Sequence, residues 1–231
     1  MESLQKHLRQ WKDSLEINKM KDIAIVGKGG LGREVHLLIK QINDVDSLWN
    51  FVGYFDDDKD TPLDGAPYLG DLKKINTIEE PLCIAFGIGN SSIRKLLREN
   101  ITNELVSFPN LFHPNLIYDS MSFRNGIGNI VFANNVISTN TEIADFVIVN
   151  LGSTIGHDVN IDSYSTINPG VNVSGNVSIK DLTLIGTGSC IIQGLTIGNN
   201  AVVGAGAVVL RNVDSHHTVI GTPARPIRTN L

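Results

Sequence analysis

Residues 131–209, set out in sixes, read VFANNV ISTNTE IADFVI VNLGST IGHDVN IDSYST INPGVN VSGNVS IKDLTL IGTGSC IIQGLT IGNNAV VGAGAV V. Each group opens on valine or isoleucine, fourteen times in succession: Val131, Ile137, Ile143, Val149, Ile155, Ile161, Ile167, Val173, Ile179, Ile185, Ile191, Ile197, Val203 and Val209. Four places further on the side chain is small or β-branched, as in Thr141, Val147, Ser153, Val159, Ser165 and Val171, with Leu195 as the bulky exception. An α-helix repeats its faces every 3.6 residues and a strand every two, so a period of six belongs to neither. It fits a solenoid in which each unit makes one short strand and one corner. Three units close a triangular coil, and the aliphatics stack along its inner edges. Fourteen units predict between four and five coils, a prism roughly 20–25 Å tall at the usual strand spacing. Its partly apolar faces predict side-by-side association with further copies.

Upstream the texture changes. Asp22–Val26 reads as a buried strand, followed by the glycine turn Gly27-Lys28-Gly29-Gly30-Leu31-Gly32 and a helix over Arg33–Gln41. Phe51–Phe55 reads as a second strand that runs into Asp56-Asp57-Asp58. A turn at Asp64–Pro67, a strand at Leu82–Phe86, Gly87-Ile88-Gly89-Asn90, a helix around Ile93–Arg98 and a last strand in Leu105–Phe108 follow. Strands alternating with helices predict a small parallel sheet. The organisation expected is a helical extension over 1–20, with Leu4, Leu8, Trp11 and Leu15 on one face, and an α/β Rossmann-like domain over 21–110. A solenoid over 113–212 and a turn-rich tail over 213–231 complete it.

The chain has 231 residues, long enough for two domains. A net charge of −5 and the absence of a Lys/Arg run give no electrostatic case for nucleic acid. No apolar run reaches the ~18 residues of a membrane span, and the charged first twenty residues do not resemble a secretory signal. Cys83 and Cys190 read as buried free thiols, and no Cys/His cluster has metal-ligand spacing, so the expectation is a metal-free cytoplasmic protein.

Two features carry chemistry. Gly27, Gly29 and Gly32 form G-x-G-x-x-G between a strand and a helix, where helix amides suit phosphate oxygens, and Asp56 or Asp57 ends the next strand where a ribose or sugar would lie. NAD, another nucleotide-linked ligand, or a tight turn with no ligand all satisfy this pattern. The second feature is His157, on the outer side of a solenoid corner. A lone surface histidine is the plain reading. Against it, Asp158 follows directly and sets a carboxylate beside the imidazole, and Gly175 lies one full coil above with an amide placed to face an oxyanion.

The Ile-Gly units that close in Val203-Gly204-Ala205-Gly206-Ala207-Val208-Val209, with Val219-Ile220-Gly221-Thr222-Pro223-Ala224-Arg225 after them, resemble the hexapeptide-repeat acyltransferases. That resemblance implies a left-handed parallel β-helix, acetyl-CoA as co-substrate and a homotrimer. The glycine turn with Gly53-Tyr54-Phe55-Asp56-Asp57-Asp58 is similar to one branch, the nucleotide-sugar N-acetyltransferases and the related sialic-acid O-acetyltransferases. By position it implies His157 as general base tuned by Asp158, and nucleotide-sugar contacts at Gly29, Gly30, Leu31, Asp56, Asp57 and Gly89. It implies acetyl-CoA contacts at Thr166, Thr187 and Ala205. The family carries histidines where this chain has Thr166 and Leu31, and a shorter Phe86–Gly89 loop. The reaction implied is N-acetylation of the 4-amine of a nucleotide-linked amino-dideoxy sugar. O-acetylation of a sugar hydroxyl, or a non-catalytic nucleotide-sugar-binding protein, would use the same parts.

Overall fold

The computed structural model describes residues 20–60 and 65–227. The expected helix through Leu4, Leu8, Trp11 and Leu15 lies outside the described residues. The N-terminal sheet holds β1 (Lys21–Val26), β2 (Trp49–Phe55), β3 (Tyr68–Gly70), β4 (Leu82–Phe86) and β5 (Val106–Ser107) in the order β3-β2-β1-β4-β5, all parallel. β1 sits at the centre, which is why Ile23 to Val26 form an unbroken buried run rather than an alternating one. Helix α1 (Gly30–Asn43) turns Val35, Leu38, Ile39 and Ile42 into the core and starts inside the glycine turn, three residues earlier than its apolar face suggests. Helix α2 (Ser91–Glu99) is capped by Asn90, whose side-chain Oδ1 accepts the Ile93 N–H at 3.0 Å. β3 and the 3₁₀ turn Leu72–Thr77 were not legible: the strand is three residues long and the turn is too short for a period.

The rest of the chain winds as a triangular parallel solenoid. One face stacks strands from Leu111–Phe112 through Ile148–Val149 and Thr166–Ile167 to Thr218–Ile220. The second runs from Ile117–Tyr118 through Thr154–Ile155 to Val208–Val209, and the third from Arg124–Asn125 through Asn160–Ile161 to Thr196–Ile197. All fourteen aliphatics of the series are buried, and the residues four places on fill the interior between them. The solenoid exceeds the four to five coils expected, with six strands on the second face. At its start His113, Asp119 and Asn125 break the aliphatic series, and Leu116 and Phe123 fill the interior instead. The tail after residue 212, expected to leave the repeat, prolongs it: Val213 bridges Ile197, and Thr218–Ile220 pairs in parallel with Val202–Val203 before Arg225–Ile227 folds back antiparallel. Cys190 corrects a further expectation. It is half-buried on the outside of the second face, because Ile191 beside it takes the inward position.

The corners explain the polar letters of the repeat. The third residue after every aliphatic but the last has a left-handed backbone, including Asn134, Asn140, Gly152, Asp158, Gly170 and Asn176. Glycine and asparagine tolerate that conformation best. Only the corner from the third face to the first uses bulky residues there: Phe146, Tyr164 and Leu182, at φ 56°, 61° and 61°. Each such placement costs about 1–2 kcal/mol. That corner meets the N-terminal domain. Phe146 stacks on Tyr164 at 5.2 Å and lies edge-on to Phe86 and Phe108, so aromatic packing offsets the cost. The adjoining part of the first face, Ile130 and Ile148, joins the core formed by β1 and α1. The third face is polar, with Arg124, Glu142, Asn160, Ser178 and Thr196 outward, which restricts apolar association to the remaining second face and the corners.

Candidate active site

The glycine turn is built from close backbone contacts. A Cβ on Gly32 would strike the Gly27 carbonyl oxygen, and one on Gly87 would strike Gly32 Cα, so the turn and the loop after β4 pack together only as glycines. Gly29 and Gly30 differ: the space where their side chains would stand is open. Gly29 caps α1 without a side-chain bond, which leaves first-turn amides facing that space, as an anionic phosphate requires. Gly89 closes the other side, its Cβ position 3.7 Å from Leu31 Cδ2. The structure therefore brings Gly29, Gly30, Leu31 and Gly89 to one mouth. Asp56 braces that mouth. Its two oxygens accept the Lys28 and Asp58 N–H groups, each at 2.9 Å. Asp57 accepts the Leu72 N–H at 3.4 Å and lines a cavity of about 320 Å³ with Val26, Leu72, Ile75, Asn76 and Leu97.

The loop that carries Gly89 is held to the solenoid by Arg94, a residue the sequence did not mark. Arg94 is 1% exposed and pairs with no carboxylate among the described residues. Its Nη1 donates to the carbonyls of Ile88 (2.8 Å) and Gly89 (3.2 Å), and Nε to that of Phe146 (3.0 Å). Nη2 donates to the Tyr164 carbonyl (2.7 Å) and the Thr166 hydroxyl (3.1 Å). Burial pushes the guanidinium pKa down to about 10, so it remains charged at neutral pH. Thr166 in turn donates to the Gly89 carbonyl at 3.1 Å and is 3% exposed. Its hydroxyl is occupied within the joint between the domains and is not turned to the open surface with Thr187 and Ala205.

His157 stands at the corner between the second and third faces. Nδ1 lies 2.7 Å from Asp158 Oδ2, and Nε2 has no partner among the described residues. Asp158, at φ 57°, is the left-handed corner residue. The bond to His157, with a second one from Asn140, holds its carboxyl below the usual range. Gly175 sits directly over the imidazole: a Cβ there would lie 2.5 Å from His157 Cε1, 2.9 Å from Cδ2 and closer still to Nε2. The Gly175 N–H makes no backbone hydrogen bond among the described residues. A tethered imidazole with one open nitrogen beside an open amide can take a proton and steady a developing oxyanion.

Thr187 and Ala205 are exposed one above the other, joined by the bond from Gly206 N–H to the Thr187 carbonyl at 2.8 Å. They occupy the corner between the first and second faces, not the His157 corner. Within one chain the two sets do not share a corner. Among the described residues no group of His, Cys, Asp and Glu could hold a metal ion, and no helix is long and apolar enough to cross a membrane.

Residues 22–101 match the family model described as the PglD N-terminal domain. The acetyltransferase domain of PglB from Neisseria gonorrhoeae FA1090, solved with acetyl coenzyme A, is 31% identical. The match covers 90% of this chain and 100% of that one, with a TM-score of 0.83. WeeI from Acinetobacter baumannii AYE is also 31% identical, over 90% and 100% of the two chains, with a TM-score of 0.80. PerB from Caulobacter crescentus, solved with CoA and GDP-perosamine, is 27% identical over 91% and 99%, with a TM-score of 0.83. No curated protein matches the chain.

Proposed function

We propose that this chain, which belongs to the hexapeptide-repeat nucleotide-sugar N-acetyltransferases, acetylates the 4-amine of a nucleotide-activated 4-amino-4,6-dideoxyhexose. It is an acetyl-CoA-dependent enzyme of amino-sugar N-acetylation. The nucleotide diphosphate lies against the first turn of α1 at Gly29, Gly30 and Leu31, with Gly89 and the Asp56–Asp57 end of β2 around it. The amine nitrogen attacks the thioester carbonyl carbon. His157 Nε2 takes the amine proton, the Gly175 N–H donates to the carbonyl oxygen as it gains charge, and collapse releases CoA, whose sulfur receives the proton from His157. Asp158 holds the imidazole by Nδ1 so that Nε2 is the atom that works. Thr187 and Ala205 contact acetyl-CoA from a second subunit of a homotrimer, because they stand on a different corner from His157. One active site then forms at each subunit interface.

The observation that carries this reading is the open His157 Nε2 under Gly175, with Nδ1 already bound to Asp158. The test is thiol release from acetyl-CoA with UDP-, GDP- and dTDP-linked 4-amino sugars, their 4-hydroxy counterparts and sialic acid. Amino acceptors alone should turn over; turnover of hydroxyl acceptors alone would make it an O-acetyltransferase. His157→Ala should lower kcat by ~10²–10⁴-fold while mass and melting temperature hold. Wild-type turnover in that variant removes His157 as base.

A further inference from the structure

The reading of His157 as general base has a consequence one coil below it, and this inference rests on that reading. His157 and Asp158 have side chains that are 63% and 52% exposed. A single hydrogen bond between two such exposed groups leaves both side chains several rotamers to visit. Asp158 is nevertheless tied at its other oxygen. Asn140 Nδ2 donates to Asp158 Oδ1 at 3.2 Å while Oδ2 faces His157 at 2.7 Å, so the carboxylate is gripped from both ends. The solenoid makes this meeting a matter of register. Asn140 and Asp158 are left-handed corner residues 18 positions apart, at φ 53° and 57°. Asn140 is itself anchored, its N–H donating to Ser122 Oγ at 3.1 Å, and Ser122 Oγ donating to Asp119 at 2.7 Å. From this geometry we propose that Asn140 is a positioning residue for the transfer reaction, holding Asp158 so that the imidazole keeps its Nε2 under Gly175.

The competing account is that asparagine stands at 140 only because it tolerates a left-handed backbone, as Asn134 and Asn200 do at other corners. Glycine separates the two. Other corners place Gly152, Gly170 and Gly188 in the same conformation, so Asn140→Gly keeps the backbone and removes only the carboxamide. Asn140→Asp is near-isosteric, and Asp158 itself shows that aspartate accepts this backbone; it replaces the donor with an acceptor.

The full-length enzyme would be assayed for kcat and both KM values with acetyl-CoA and an accepted amino-sugar nucleotide, alongside melting temperature. The set comprises Asn140→Gly, Asn140→Asp, Asp158→Ala, the double variant Asn140→Gly/Asp158→Ala, and Asn200→Gly as the backbone control. Asn140→Gly should lower kcat about tenfold with the KM for acetyl-CoA within about twofold, and Asn140→Asp should fall at least as far. In the Asp158→Ala background Asn140→Gly should cost less than about twofold more, because its only route to the imidazole is gone. Asn200→Gly should leave kcat unchanged. Wild-type kcat in Asn140→Gly, or the same tenfold loss without the Asp158 carboxylate, overturns the proposal. His157→Ala in the same series keeps the two ideas apart. If it is slow while Asn140→Gly is normal, only the positioning role fails; if it turns over normally, the base assignment fails as well.

Discussion

Alanine at position 175 perturbs the candidate site with a single methyl group, and the structure says by how much. The added carbon would lie 2.5 Å from His157 Cε1 and 2.9 Å from Cδ2. Carbon atoms rest about 3.5 Å or more apart, so the ring must move by about 1 Å. It has room to do so, since the His157 side chain is largely solvent-exposed. The Gly175 backbone is not left-handed, so alanine fits the chain itself. The cost to stability should therefore stay within the roughly 0.5 kcal/mol of ordinary surface changes. Catalysis is less forgiving, because a displacement of about 1 Å at a reacting group costs on the order of 10²-fold. Gly175→Ala should lower kcat by about that factor in a thiol-release assay, with the KM for acetyl-CoA little changed and the melting temperature within a few degrees of the parent. A kcat within about threefold of wild type would refute the placement of His157 under Gly175 as the working geometry. So would a loss of activity that merely followed a collapse in stability.

Arg94→Met should destabilise the protein by at least about 1–3 kcal/mol in denaturant titration, the cost of leaving a buried carbonyl of the joint without its donor; Arg94→Lys, a point charge without the fork, should fall between. No change in either would deny the joint its role. The Asp158 carboxyl, held down by His157 and then Asn140, should titrate below ordinary aspartate in a carbon NMR experiment. A depressed folded value means the pair's contribution is present above the unfolded pKa and fades as pH falls through the folded one, so the His157–Asp158 contact should survive mild acid. Light scattering should give about three times 25.1 kDa, and a stable monomer at micromolar concentration would exclude a site shared between subunits.

The solenoid was legible because its core positions repeat strictly: one aliphatic every six residues implies a coil of short strands and corners, and each of those side chains is buried. His157, Asp158 and Gly175 were legible for the same reason, as a period of 18 converts sequence distance into stacking. The joint was not. Arg94 sits in a helix among Arg, Lys and Leu, and nothing local distinguishes a guanidinium aimed at distant carbonyls from one in water. Asn140 was hidden differently, since asparagine at a corner is already explained by its backbone and its hydrogen bond appears only with the side chains placed. Thr166, whose acetyl-CoA contact rested on resemblance alone, has a hydroxyl shared between Arg94 and Gly89, a bonding that sequence position does not disclose. The coil before residue 131 lay inside the expected solenoid but outside the count of coils, because Leu116 and Phe123 fill its interior in place of the aliphatic series.

The bulky left-handed residues Phe146 and Tyr164 make the two halves of the chain a lock and its key rather than beads on a string. A solenoid separated from its N-terminal domain would keep the unfavourable backbone at those corners and lose the aromatic contacts that offset it. Exchanging N-terminal domains between relatives would therefore fail at a cut made in the linker near residue 110. The graft has to carry the corner at 146 and 164 with it, so the exchangeable unit is discontinuous in sequence: a domain plus one edge of the prism it leans on.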